Sequence, residues 1–128
     1  MKFSKFFTGS QLSFTPSSRT KIYSDNFTIA SKLRNENVEH ISLGANKKIE
    51  FLPIRVAVTF PNLIIYSAFL CSIKKVTKKN FQGLRNLEDI SVTSNQIDEI
   101  EENSFQDQTE LKKLELSFNK IHELNENL

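Results

Sequence analysis

His40 stands beside Glu39 and two residues before Ser42, and these three side chains form the set in the chain best suited to acid–base chemistry. A carboxylate, an imidazole and a hydroxyl within reach of one another can pass a proton. Cys71, the only cysteine, is the other nucleophile to consider. Neither has the supporting parts that catalysis needs. The chain contains no GxSxG elbow, no HExxH pair and no P-loop. With three glycines in 128 residues, it has little backbone from which to build a phosphate cradle. His40 and His122 cannot complete a metal site with one cysteine unless carboxylates join them. The residues therefore predict no catalytic site, no cofactor and no metal.

Composition narrows the class further. The length fits one domain, and 38% hydrophobic with 25% charged residues reads as globular. A formal charge of +2 argues against a nucleic-acid partner. One cysteine rules out an internal disulfide framework. The uncharged run Val56 to Ile73, "VAVTFPNLIIYSAFLCSI", has the length of a minimal membrane span. Pro61 and Asn62 interrupt it, and Tyr66, Ser67 and Ser72 dilute it, so no membrane span is expected.

The elements that would position any site are set by spacing. In "LEDISVTSNQI", Leu87, Ile90, Val92, Asn95 and Ile97 follow one another at steps of 3, 2, 3 and 2. A helix wants steps of 3 and 4, and a half-buried strand wants steps of 2. The same string returns 24 residues later as "LKKLELSFNKI", with Leu111, Leu114, Leu116, Asn119 and Ile121. It occurs 24 residues earlier as "LIIYSAFLCSI", with Leu63, Tyr66, Ala68 and Ile73, and Cys71 in the asparagine place. Earlier still, "VEHISLGANKKI" gives Val38, Ile41, Leu43, Asn46 and, after one inserted residue, Ile49. The register continues through Leu52, Val76, Ile100 and Leu124, through Phe81 and Phe105, and through Phe60 and Leu84. All twenty positions of the five main apolar columns are apolar, where a 38% hydrophobic chain would fill about eight.

This pattern, LxxLxLxxNxI with a Phe near the end of each unit, resembles the leucine-rich repeat from Val38 to Leu128, in the 24-residue class typical of extracellular animal proteins. The resemblance implies an α/β leucine-rich repeat solenoid: a curved parallel β-sheet on the concave side, an irregular convex side and an N-terminal cap hairpin. Strands are expected near His40–Ser42, Ile65–Ser67, Asp89–Ser91 and Lys113–Glu115. The asparagine would lie at the bend after each strand, bonding backbone groups of its own and the neighbouring turn. The family also uses cysteine there, so Cys71 is read as a buried ladder residue and not as a nucleophile. Charges agree with the register. Lys74, Lys75 and Lys78 fall one period before Asp98, Glu99 and Glu102, which makes "KKVTKK" a solvated face and not a nucleic-acid patch. Glu88 with Lys112 and Asp89 with Lys113 should pair in the same way.

Residues 1–19 carry no acidic side chain and make a poor signal peptide, so a flexible tail is the expectation. Residues 20–37 read as the cap hairpin, turning at Asp25-Asn26, and residues 38–128 as four turns, the last incomplete. Cap hairpins in extracellular members are usually cross-linked by cysteines, which this one lacks. Asn26-Phe27-Thr28 is a glycosylation sequon, usable only on a secreted chain. Extracellular and cytoplasmic locations both stay open. The final turn, which stops short of a full period, is expected to fray, to pair end to end in a dimer, or to belong to a longer parent.

The resemblance implies a non-enzymatic module whose concave face binds a protein. The outward residues are then His40 and Ser42 with Glu39 and Gly44; Ile64, Ile65, Ser67 and Phe69; Asp89, Ser91 and Thr93 with Glu88; and Lys113, Glu115 and Ser117 with Lys112. Ile64, Ile65 and Phe69 are apolar where solvent is expected, which marks an interface unless residues 1–19 cover them. The alternative is a structural fragment, or a truncated copy of a larger receptor, with no partner of its own.

Overall fold

The structure is a computed structural model that describes the backbone of residues 4–8 and 11–15, and residues 36–45 and 47–128 throughout. Strands β1 (Ser4–Thr8) and β2 (Gln11–Thr15) pair antiparallel within the segment expected as a tail. The expected cap hairpin falls almost entirely outside the described residues, as do Asn26 and Asn46.

The repeat region is built around a four-stranded parallel sheet of β3 (His40–Gly44), β4 (Ile65–Phe69), β6 (Asp89–Thr93) and β8 (Lys113–Glu115), in that order. Each strand begins where the spacing placed it, and the first three run two residues further. His40 pairs with Ile65, Ile65 with Asp89 and Asp89 with Lys113. The first of these steps is one residue longer than the others because of the insertion before Ile49. The uncharged run at 56–73 divides between a single-turn helix, α1 (Val56–Thr59), and β4. Among the described residues no helix is long and apolar enough to cross a membrane. On the opposite side, β5 (Lys75–Val76) pairs in parallel with β7 (Glu99–Ile100), and α2 (Lys78–Phe81) is a second single turn.

Alternation sends every second strand residue inward. Ile41, Leu43, Tyr66, Ala68, Ile90 and Val92 are buried, together with Val38, Leu63, Leu87, Ile73 and Ile97 from the flanks of their strands. The return path adds Phe60, Leu84 and the pair Phe81–Phe105, whose ring centroids are 5.4 Å apart. Fully burying a side chain of this size contributes about 1.5–3 kcal/mol, so the stacked columns supply most of the driving force. Burial weakens in the fourth repeat, where Leu111, Leu116 and Ile121 are only partly covered and Leu114 is 37% exposed.

After each strand the chain turns through one residue of positive φ: Ala45, Leu70, Ser94 and Phe118, at 52–57°. The turn leaves backbone groups facing the interior, and the asparagine closes them. Asn95 donates to the carbonyls of Thr93 at 2.8 Å and of Ala68 in the preceding repeat at 3.0 Å, and its Oδ1 accepts from the Cys71 amide at 3.2 Å. Asn119 donates to Val92 and Leu116 and accepts from the Ile97 amide. Cys71 is fully buried in this column, its Sγ 3.4 Å from the Phe69 carbonyl.

Candidate functional site

The outward residues of the sheet form three rows. The first runs His40, Ile65, Asp89, Lys113; the second Ser42, Ser67, Ser91, Glu115; the third Gly44, Phe69, Thr93. Neighbours along a row are about 4.8 Å apart, so each full row spans about 14 Å. Ser117 lies just beyond β8, where its carbonyl accepts from the Ser94 amide and so extends the third row. Ile64 and Glu88 precede their strands and are tied across the repeats: Glu39 O accepts the amides of Ile64 and Ile65, and Ile64 O accepts those of Glu88 and Asp89.

The face is chemically uneven. Ile65 and Phe69 stand at the two ends of β4 with the small Ser67 between them, and all three are half-buried. Phe69 lies over Gly44, where an added Cβ would stand 2.5 Å from the ring. Gly44 therefore makes the seat for this ring, and any larger residue would displace it. Leu70, next to Phe69 and 47% exposed, extends the apolar surface in a way the spacing did not reveal. Its column carries no repeated residue type, so no pattern marked it.

Charge lies to one side, on the third and fourth repeats. Lys112 Nζ is 2.8 Å from Glu88, and Lys113 Nζ is 3.9 Å from Asp89 and 3.1 Å from Glu115. The Glu88 hydrogen bond raises the Lys112 pKa, and the Glu115 hydrogen bond, aided by Asp89, raises that of Lys113. Accepting from Lys113 and Ser117 holds the Glu115 carboxyl below the usual carboxylate range. These groups are open to solvent, so the pairs orient side chains more than they stabilise. On the other side Lys75 pairs with Glu99 as the register required, and Lys74 reaches back to Glu50 at 3.9 Å.

His40 and Ser42 are two positions on an open strand face, and Glu39 precedes the strand. Among the described residues no group of three or more His, Cys, Asp or Glu is placed to hold a metal ion. Cys71 is sealed in the ladder.

A second set of buried polar side chains escaped the sequence pattern. Asn80 accepts from the Thr77 amide at 2.6 Å, capping α2, and donates to Leu52 O at 3.0 Å. Gln108 donates to Phe81 O and Leu84 O, at 2.7 and 3.2 Å. Thr77-x-x-Asn80 is a readable capping signal. Gln108 occupies the column of Phe60 and Leu84, where the period predicts an apolar residue.

Residues 71–121 match the leucine-rich repeat family model. Those residues carry leucine-rich repeats. No curated protein matches it in sequence. The parallel sheet with its two single-turn helices is compatible with a leucine-rich repeat solenoid, and leucine-rich repeats generally mediate protein–protein binding without enzymatic activity.

Proposed function

We propose that this leucine-rich repeat chain is a non-enzymatic recognition module that binds a protein through the outward face of its sheet, the concave face of the family. The observation that carries this reading is the apolar pair Ile65 and Phe69 on the outer face of β4, flanked by the charged residues of β6 and β8. Apolar residues at the centre of a patch are desolvated on binding and carry most of the affinity, while rim charges tune association. The footprint then centres on Ile65 and Phe69, with Ile64 and Ser67 beside them. His40 and Ser42 form one flank; Asp89, Ser91 and Thr93, then Lys113, Glu115 and Ser117, form the other.

The test is affinity capture with the intact chain, with Ile65→Asp, and with Phe51→Asp as a control on the opposite side, where Phe51 is 75% exposed. Ile65→Asp should lose the captured protein while its circular-dichroism spectrum stays that of the parent, and Phe51→Asp should keep it. Capture by Ile65→Asp at parental affinity would move the site off this face.

A further inference from the structure

On the side opposite the sheet, exposure repeats with the period of the core. Phe51, Ile54 and Val58 are exposed by 75%, 52% and 41%, and Arg55 stands open among them. One period on, their columns hold Lys75, Lys78, Gln82 and Lys79, and all four are exposed. A further period on come Glu99, Glu102, Gln106 and Asn103, exposed again. These positions face outward in three successive repeats, so their exposure belongs to their place in the repeat. The return paths are held side by side. Asn80 Nδ2 donates to Leu52 O at 3.0 Å and to Pro53 O at 3.4 Å, and a Cβ added at Gly83 would stand 3.3 Å from that of Ala57. Lys75 pairs in register with Glu99. Across the columns the chemistry therefore changes in bands: apolar, then basic, then acidic. From Phe51 to Leu87 the sequence has no acidic residue. Lys75 is taken by Glu99, but Arg55, Lys78 and Lys79 make no ion pair among the described residues.

We propose that this surface of the first two repeats docks on an anionic lipid bilayer, so that the chain lies on a membrane without crossing it. Phe51, Ile54 and Val58 enter the boundary between headgroups and acyl chains. Arg55, Lys78 and Lys79 stand beside them and reach the lipid phosphates on long apolar stems. Charge of one sign bordering an apolar group matches an anionic leaflet, which presents one negative potential above an apolar layer. A protein partner fits less well, because it would need a hollow for each protruding side chain, whereas a bilayer closes around them. The acidic third repeat is repelled by the same leaflet, which tilts the molecule and seats the first repeat deepest. The sheet lies on the opposite side and stays turned to solvent. No residue of the sheet face takes part, so this reading and the protein-binding one can each fail alone.

The experiment is flotation of the 128-residue chain with vesicles of phosphatidylcholine alone, and of phosphatidylcholine with about 30% phosphatidylserine. Binding should require the anionic lipid and fall at least about tenfold between about 0.1 M and about 1 M salt. Phe51→Asp, and the double variant Lys78→Glu with Lys79→Glu, should each weaken it by at least about tenfold. Gln106→Asp adds the same charge in the column of Val58, two repeats on, and should bind as the parent does. The sequence contains no tryptophan, so Phe51→Trp supplies a lone fluorescent reporter. Its emission should shift to the blue when the anionic vesicles are added, and that of Gln106→Trp should not, a contrast that loss of folding cannot give. Equal binding to both kinds of vesicle, binding to neither, or an equal shift in the two tryptophan variants overturns the proposal. Loss of the captured protein by Phe51→Asp, with no vesicle binding by the parent, overturns it too and gives this face to a protein.

Discussion

Asn95 closes three backbone groups at one bend: it bonds the carbonyls of Thr93 and Ala68 and the amide of Cys71. Asn95→Leu keeps the volume and removes all three bonds, leaving groups buried in the neighbouring repeat unsatisfied. The expected loss is about 1–3 kcal/mol, seen as a melting temperature several degrees lower; a variant melting within a degree of the parent would refute this role. Tyr66 makes the opposite case. Its ring is fully buried, edge-on to Phe81 at 5.1 Å, yet its hydroxyl has no partner among the described residues, and burial pushes the phenol pKa far up, with a smaller contribution from Cys71. Tyr66→Phe removes an unpaired buried polar atom and keeps the packing, so it should be neutral or stabilising by up to about 1 kcal/mol in urea titration. A loss above that would show that the hydroxyl is satisfied in solution. Asn95 was legible because it breaks an apolar string at a place the period repeats. Gln108 was not, because a repeat column records where a side chain sits and not which backbone group it reaches.

The strands were legible as elements for the same reason: inward residues at steps of two, returned every 24 or 25 residues, leave no other register for His40, Ile65, Asp89 and Lys113. The bends that follow them were not. A left-handed residue is usually announced by glycine, and here Ala45, Leu70, Ser94 and Phe118 hold that conformation instead. Each carries the steric cost of a Cβ at positive φ. Ser94 is the position to test, because its amide bond to Ser117 O uses backbone alone. Ser94→Gly relieves the Cβ clash and gives back part of the gain through the freer unfolded chain. The expected net stabilisation is about 0.5–1 kcal/mol, seen as a higher denaturant midpoint at unchanged slope. A lower midpoint would mean that the Ser94 side chain contributes more than its conformation costs.

At the scale of the whole molecule, a stack of repeats is held only by contacts between neighbours, so stability varies along it. The third repeat lies between two others, and Leu87, Ile90, Val92 and Ile97 are fully buried there. In the fourth, Leu114 is exposed, Leu124 is 60% exposed, and Leu111, Leu116 and Ile121 are half-covered. Two equivalent bonds allow this gradient to be measured. The Asp89 amide donates to Ile64 O at 3.2 Å and the Lys113 amide to Glu88 O at 3.0 Å, the same bond one repeat apart. Their geometry is alike, so a difference in exchange, after correction for intrinsic rates, reports how often each repeat opens. In a sample dilute enough to be monomeric, Lys113 should exchange at least about tenfold faster than Asp89, a difference of ~1.4 kcal/mol in opening free energy. Equal protection would mean that the two repeats open together, which would make the stack one cooperative unit.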